Sequence, residues 1–289
     1  MVVIDAHQHV WDLEQVSYPW LTPETGILRR TYAIEELIPD LDACGVDATI
    51  LVQAADSVED TRWMQRVAAR HPRVAGIVGW VPLEDPARAA DLLDDYASDP
   101  RIVGIRHLIH NEPDGDWLVR PAVQDGLALL AERGLTFDVV AVNERHLRHV
   151  STIAKNHPSL RLVIDHLGKP PIAAGEWMPW AGALAEAAEG PNVYAKLSGL
   201  NTAAAAGWAA RDLAPYVDHA FEVFGAERLM YGGDWPVTLL AGDYRSVWQA
   251  TAELLAERSE AERAAVLGGT AASFYRIDER ALLRPSTTV

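Results

Sequence analysis

Residues 145–168, RHLRHVSTIAKNHPSLRLVIDHLG, decide the fold class of this chain. A segment with helical spacing stops before Pro158, and a short run rich in Leu, Val and Ile follows it almost at once. The run is apolar enough to be buried on both faces, as the strands of parallel sheets are. A helix followed by such a strand is the repeating unit of α/β folds.

The same unit recurs along the whole chain. The strand candidates are residues 2–10, 48–54, 74–83, 101–109, 135–141, 160–168, 192–200 and 228–237. The clearest helix candidates between them are residues 57–72, 85–100, 120–134, 145–158 and 212–225. Eight strands that alternate with helices predict a parallel sheet closed into a (β/α)8 TIM barrel. An open doubly wound sheet is the alternative, but the glycine-rich turn it usually needs is missing from residues 7–15, HQHVWDLEQ.

Composition and charge narrow the possible classes of protein. No linker divides the 289 residues, so we expect one domain over residues 1–278 and a loosely held tail over residues 279–289. The formal net charge of −16 disfavours nucleic acid and anionic membranes as partners. Cys44 is the only cysteine, and no targeting segment is recognisable, so we expect a cytoplasmic protein. A small-molecule substrate and a homo-oligomer are both compatible with these features.

The first strand candidate places ionisable side chains in an otherwise apolar segment. Strict alternation along a strand predicts Asp5, His7 and His9 on one face. His7 and His9 fall at the carboxyl end of the strand, which forms the active-site rim in a barrel. Two imidazoles at such positions can converge on one metal ion, although histidines on strands are more often simply packed and hydrogen-bonded.

Two other strand candidates end in side chains of the same kind. Asp165 and His166 end the sixth strand, and Asp234 ends the eighth just before Pro236. A carboxylate and a histidine at rim positions have no packing rationale. Three histidines with one carboxylate match either a mononuclear metal site or a metal-free set of oxyanion donors with a general base.

These residues and their order resemble the amidohydrolase superfamily, and more narrowly its sugar-lactone hydrolase branch, which includes enzymes of the L-fuconolactonase and L-rhamnonolactonase type. The motifs are IDAHQHVW (4–11), GIRHLI (104–109), IDHLGKPPI (164–172), YAKLSGL (194–200) and YGGDWPV (231–237). The resemblance covers residues 1–278. It implies hydrolysis of a sugar-derived lactone, with an L-fucono- or L-rhamnono-lactone-like substrate, to the aldonic acid.

The resemblance also implies roles for individual residues. His7, His9 and His166 would polarise the scissile carbonyl, either directly or through one divalent metal such as zinc or manganese, with Asp234 as a fourth ligand. Asp234 would take a proton from the attacking water and pass it to the leaving hydroxyl. The fourth and fifth strands lack the bridging residue and histidine of binuclear members, which argues against two ions. A metal-free mechanism remains open.

Further candidates lie at or near strand ends. Arg106 shares a strand face with Gly104, whose missing side chain leaves room in the barrel. Arg106 is therefore a candidate to bind lactone oxygens or to form an ion pair. Lys196 either orients substrate or pairs with Asp165 or Asp138. Other substrate-binding candidates are Gln53, Trp80, Trp117 and Trp235, whose rings can equally serve as core. We interpret His107 as structural, and the following histidines as surface residues: His71, His146, His149, His157 and His219.

Two other functions compete with lactone hydrolysis. One is a metal-dependent decarboxylase of the same superfamily, and the other is a barrel that binds sugar acids without turning them over. Residues 104–118, GIRHLIHNEPDGDWL, favour the lactonase branch through the resemblance. Acyl-enzyme and nucleotide chemistry lack support because the sequence has no G-x-S-x-G elbow and no Walker-type loop.

Overall fold

The computed structural model describes residues 1–282, and these form a barrel of eight parallel strands. The strands are β1 (Ile4–Gln8), β2 (Ala48–Val52), β3 (Val74–Gly79), β4 (Ile102–His107), β5 (Thr136–Val139), β6 (Arg161–Ile164), β7 (Val193–Leu197) and β8 (Leu229–Tyr231). Each strand pairs in parallel with the next one along the chain. The predicted (β/α)8 barrel is therefore confirmed.

α-Helices connect successive strands, and four more follow β8 among residues 1–282. They are α1 (Ile34–Cys44), α2 (Val58–Ala68), α3 (Pro86–Tyr96), α4 (Pro121–Glu132), α5 (Glu144–Asn156), α6 (Trp180–Ala188), α7 (Ala210–Phe224), α8 (Tyr244–Leu254), α9 (Glu260–Ala264), α10 (Thr270–Tyr275) and α11 (Glu279–Leu282). The start of the predicted tail is thus helical, and its residues 283–289 lie outside the described part of the chain. None of the helices between residues 1 and 282 is long and apolar enough to cross a membrane.

Backbone hydrogen bonds bring the last strand back to the first. The amide of Asp234 donates to the carbonyl oxygen of His7 at 2.8 Å, and the amide of His9 donates to that of Trp235 at 2.7 Å. These bonds lie just beyond the end of β8, at the carboxyl ends of the strands. Closure of the barrel therefore sets the distance between the histidines of β1 and Asp234.

An irregularity in β1 changes which side chains face the barrel interior. Asp5 lies opposite Thr49 of β2 but Gln8 lies opposite Leu51, so β1 has one residue more than its partner between these two points. Before the irregularity, Ile4 packs in the apolar cluster inside the barrel. After it, His7 also faces the interior, as its contacts below show.

Asp5 consequently points away from the histidines. Its carboxylate accepts hydrogen bonds from the amides of His7 and Gly233, at 3.0 and 2.9 Å, and from the Tyr244 hydroxyl of α8 at 2.9 Å. The predicted common face of Asp5, His7 and His9 is therefore wrong for Asp5, because the irregularity breaks the alternation. Asp5 instead ties the end of β1 to the segment after β8.

The apolar core has two parts. A larger cluster fills the layer between strands and helices, with Leu51, Ile105 and Val139 among its members. A smaller cluster lines the barrel interior, where Val163 and Met230 are fully buried. Polar side chains take over inside the barrel towards the carboxyl ends of the strands, and there they form the candidate site.

Candidate active site

The structure brings the four predicted metal ligands together at the carboxyl end of the barrel. The Nε2 atoms of His7 and His9 are 3.2 Å apart, and they lie 3.7 and 3.5 Å from Oδ1 of Asp234. His166 reaches the same carboxylate, with its Nε2 atom 4.0 Å from Oδ2. Each of the four residues is at most 5% exposed. Residues separated by more than two hundred positions thus share one small polar cavity.

The imidazoles of His9 and His166 are held by contacts at their second nitrogen. Nδ1 of His9 lies 2.7 Å from the carbonyl oxygen of Val52, which can only accept a hydrogen bond. That nitrogen therefore carries a proton, and Nε2 is turned towards Asp234. Nδ1 of His166 lies 2.8 Å from the hydroxyl oxygen of Ser198. Such partners fix the ring orientation of histidines that ligate metals.

The backbone at this site is left-handed at residues that seldom adopt that conformation. His166 and Asp234 both have φ of +53°. A left-handed backbone costs a non-glycine residue about 1–2 kcal/mol. Gly199, with φ of +59°, lies opposite them, and a Cβ there would be 2.7 Å from Nδ1 of His166 and 2.8 Å from Oδ2 of Asp234. The left-handed backbone after β6 and β8 therefore costs some stability, and it directs the side chains of His166 and Asp234 towards each other.

A buried ion-pair network lies beneath His7. Nδ1 of His7 is 3.2 Å from Oδ1 of Asp165, and Nζ of Lys196 is 3.1 Å from that same oxygen. Nη1 of Arg106 lies 3.1 Å from the other oxygen of Asp165. Lys196 also pairs with Asp138 and is fully buried. Two roles were predicted for Lys196, and the contacts observed are those of an ion pair with Asp138 and Asp165.

The pKa shifts define the charge state of the site. Burial holds the pKa of His7 and of His166 well below the usual value, so both imidazoles are neutral and can act as ligands. Burial opposes ionisation of Asp234, but His166 and His9 outweigh it and the pKa of Asp234 is lowered. The site therefore combines neutral imidazoles with an ionised carboxylate.

The same residues fit a divalent cation. Within residues 1–282, neither carboxylate oxygen of Asp234 has a hydrogen-bond donor, although the side chain is only 1% exposed. A buried carboxylate without partners is costly, and a cation is one way of satisfying it. Ligand atoms of His7, His9 and Asp234 all lie within 4.8 Å of one another. Neutral imidazole and carboxylate are ligands that zinc and manganese accept.

A pocket of about 300 Å³ opens onto this cavity. Four of the predicted residues line it: His9, Arg106, His166 and Asp234. Most of the remaining wall is apolar and comes from the loops after the strands, including Trp20, Leu108, Val140, Val142 and Val237. Such a mixture of apolar wall and a few convergent polar groups is typical of a small-molecule site.

Comparison with known proteins decides the family. The amidohydrolase family model matches residues 4–277. The chain belongs to the amidohydrolase family. The resemblance inferred from the sequence motifs is therefore confirmed.

Known relatives of this amidohydrolase cover nearly its whole length. A protein of Burkholderia ambifaria named L-fucono-1,5-lactonase is 39% identical over 95% of this chain and 96% of its own. One of the same name from Burkholderia multivorans is 37% identical over 96% and 97%. A crystal structure of an amidohydrolase from Burkholderia multivorans with bound zinc has a TM-score of 0.88 and 34% identity, and the match covers 96% of this chain and 100% of that one.

The structure does not bring the other predicted substrate-binding residues of this amidohydrolase to the pocket wall. Gln53 is buried, and its Nε2 atom donates to the carbonyl oxygen of Arg106 at 3.2 Å. Trp80 donates to His107, and Trp117 stacks on the same imidazole at 4.0 Å between ring centroids. Trp235 packs edge-on against Tyr32. These side chains contact other residues of the protein and do not line the pocket.

Sequence reasoning missed Trp20, His110 and Lys169, which do line the pocket. Trp20 lies in the long loop after β1, where its indole nitrogen donates to the carbonyl oxygen of Ala54 at 2.7 Å. No motif marks it in the sequence. The prediction of surface histidines also needs correction, because His146 is buried on the inner face of α5 and the other four are half-buried.

Proposed function

We propose that this amidohydrolase hydrolyses a sugar-derived lactone to its aldonic acid, with an L-fucono- or L-rhamnono-lactone-like substrate. The observation that carries the proposal is Asp234, a buried and ionised carboxylate without a hydrogen-bond donor among residues 1–282, at the base of a pocket sized for a small molecule. The names of the two Burkholderia relatives support the substrate class. The matches cover 95–96% of this chain and 96–97% of the two relatives, which supports carrying over a whole-enzyme activity.

In the proposed reaction, Asp234 acts on a water molecule placed between it and the lactone carbonyl. The carboxylate takes one proton as the water oxygen bonds to the carbonyl carbon. The ring carbon–oxygen bond then breaks, and Asp234 returns the proton to the departing oxygen, which becomes a hydroxyl group. The other product end is a carboxylic acid, which ionises at neutral pH and releases one proton to solvent.

Donor groups around the pocket would stabilise the negative oxygen that forms in this step. Arg106 lines the pocket, and its buried Nε–H has no acceptor among the described residues. We assign this donor to a substrate oxygen. Preorganised donors of this kind contribute about 2.7–4 kcal/mol each to transition-state stabilisation. His166, held by Ser198, orients Asp234 and the substrate carbonyl.

A divalent metal, zinc or manganese, would be held by His7, His9, His166 and Asp234. When bound, it would polarise the lactone carbonyl and lower the pKa of water. We expect dialysis against a chelator to reduce activity and readdition of zinc or manganese to restore it. Metal content measured by mass spectrometry should fall from about one ion per chain to near zero in a His7→Ala, His9→Ala double variant. A stripped enzyme that retains its full rate would instead favour direct polarisation by the histidines.

A panel of aldonolactones with a pH indicator tests the activity. We expect acid release with L-fucono- and L-rhamnono-lactones and no evolution of carbon dioxide. NMR would show the opening of the lactone ring. Carbon dioxide from a carboxylated aromatic acid would support the decarboxylase alternative. Tight sugar-acid binding without turnover on any substrate would support the non-catalytic alternative and overturn our proposal.

A further inference from the structure

Lys169 is a lysine at the pocket that the reaction above does not use. The chain contains only three lysines, Lys155, Lys169 and Lys196, among 25 basic residues. Lys169 follows His166 in a turn whose residues have left-handed backbone, with φ of +54° at Lys169 itself. Its amide donates to the carbonyl oxygen of His166 at 2.9 Å. One turn therefore delivers both a site histidine and an ammonium group to the pocket wall.

The charges of the other two cations of the site are already paired with carboxylates, although Nε of Arg106 keeps a free N–H. Arg106 pairs with Asp165 and donates to the carbonyl oxygen of Gln53. Lys196 pairs with Asp138 and Asp165. The ammonium group of Lys169, in contrast, has no ion pair and no hydrogen bond within the described part of the chain. Lys169 is thus a half-buried cation whose charge is available to a ligand.

Among the described residues that line the pocket, the only other Lys or Arg is Arg106, whose charge is paired with Asp165. Burial lowers the pKa of His110 to about 4, and the charges of Arg106 and Lys169 add to the effect, so this imidazole is neutral. Aliphatic and aromatic side chains form most of the remaining wall. An anion that enters the pocket would therefore meet one ammonium group that no ion pair or hydrogen bond of the described residues holds, and whose charge also helps to lower the pKa of Asp234.

The proposed reaction creates such an anion. Ring opening leaves a carboxylate next to the carboxylate of Asp234, which is itself only 1% exposed. Two like charges at short range repel strongly in a medium of low dielectric constant. On the basis of the proposed function, we propose that Lys169 binds the carboxylate of the aldonate product and the carbonyl oxygen from which that carboxylate forms.

Binding of an aldonate to a Lys169→Met variant tests this assignment. Methionine keeps an unbranched side chain of similar length but removes the charge. A charge-assisted hydrogen bond of about 1.5–3 kcal/mol corresponds to a loss of roughly 10-fold to 150-fold in affinity. We expect the Kd of L-fuconate, measured by titration calorimetry, to rise by at least about 10-fold, and KM for the lactone to rise more than kcat falls. Lys169→Arg should retain part of the affinity.

Lys155→Met is the matched control, because Lys155 is exposed on α5 and is not among the residues that line the pocket. It should leave both Kd and KM unchanged. The salt dependence of aldonate binding should be present in wild type and in Lys155→Met, and reduced in Lys169→Met.

The outcomes separate this inference from the proposed function. If wild type hydrolyses lactones but Lys169→Met binds the aldonate as tightly as wild type does, the assignment of Lys169 is overturned and the hydrolase stands. If wild type hydrolyses no lactone, the proposed function fails, and Lys169 is judged by aldonate binding alone. Equal affinity in the two proteins, or no binding by either, would then refute its role as an anion site.

Discussion

Replacement of Asp234 by asparagine is expected to reduce kcat/KM for lactone hydrolysis by about 10²-fold to 10⁴-fold, the range associated with a missing general base. Asparagine has nearly the same shape, but it cannot take a proton from water. The folded structure should persist because neither oxygen of Asp234 is a hydrogen-bond acceptor for the described residues. Steady-state kinetics on the best lactone of the panel, together with thermal unfolding, would measure both effects.

Asp91→Asn is a suitable control for this experiment, because Asp91 is an exposed carboxylate of α3 and lies outside the pocket. It should behave like wild type in both measurements. An Asp234→Asn variant with the wild-type rate would contradict the proposed mechanism.

Replacement of Lys196 by methionine is expected to lower the free energy of unfolding by about 3–5 kcal/mol, the usual cost of breaking a buried ion pair by removing one partner. Lys196 is fully buried between Asp138 and Asp165, so its loss leaves two carboxylates with less compensation. Denaturant unfolding at neutral pH would measure the change. Lys155→Met, which removes an exposed lysine, should have almost no effect.

The destabilisation by Lys196→Met should depend on pH in a defined direction. Burial raises the pKa of Asp138 to about 6 in the wild-type chain, even though Lys196 opposes the shift. Without Lys196 that pKa rises further, and the preference of the folded chain over the unfolded chain for this proton becomes larger than in wild type. The variant should therefore regain stability relative to wild type as pH falls from about 8 to about 5.

A second substitution provides the control for this pH effect. The Lys196→Met, Asp138→Asn double variant should recover part of the lost stability at neutral pH, because one uncompensated charge is gone. Its difference from wild type should also change less with pH than that of the single variant. A single variant as stable as wild type at every pH would show that the network is not a significant stabilising element.

The barrel could be predicted from the sequence because its signals are local. The helical spacing of residues 145–158 and the apolar run of residues 160–168 each depend on neighbours a few positions away. The structure has α5 and β6 there, although β6 ends at Ile164 and Asp165–Gly168 form a turn. The proximity of His7, His9, His166 and Asp234 also followed, since the carboxyl ends of parallel strands meet at one end of a barrel. Their roles in catalysis or metal binding remain predictions.

Other features depended on contacts that no local pattern encodes. The irregularity of β1 brought His7 to the interior face while Asp5 stayed outside, because register depends on how β1 pairs with β2. Trp117 was a candidate for stacking on a sugar, but it packs on His107 instead. Trp20 and Lys169 reach the pocket from loops whose paths are set by packing against other parts of the chain.

The sequence by itself thus determined the fold and the chemical types of the side chains at its carboxyl end. The tertiary structure decided which of them face the pocket, which are neutralised by a partner and which keep a free charge. The physical reason is that periodicity acts over a few residues, whereas burial and ion pairing depend on groups from distant segments that meet only after the barrel closes.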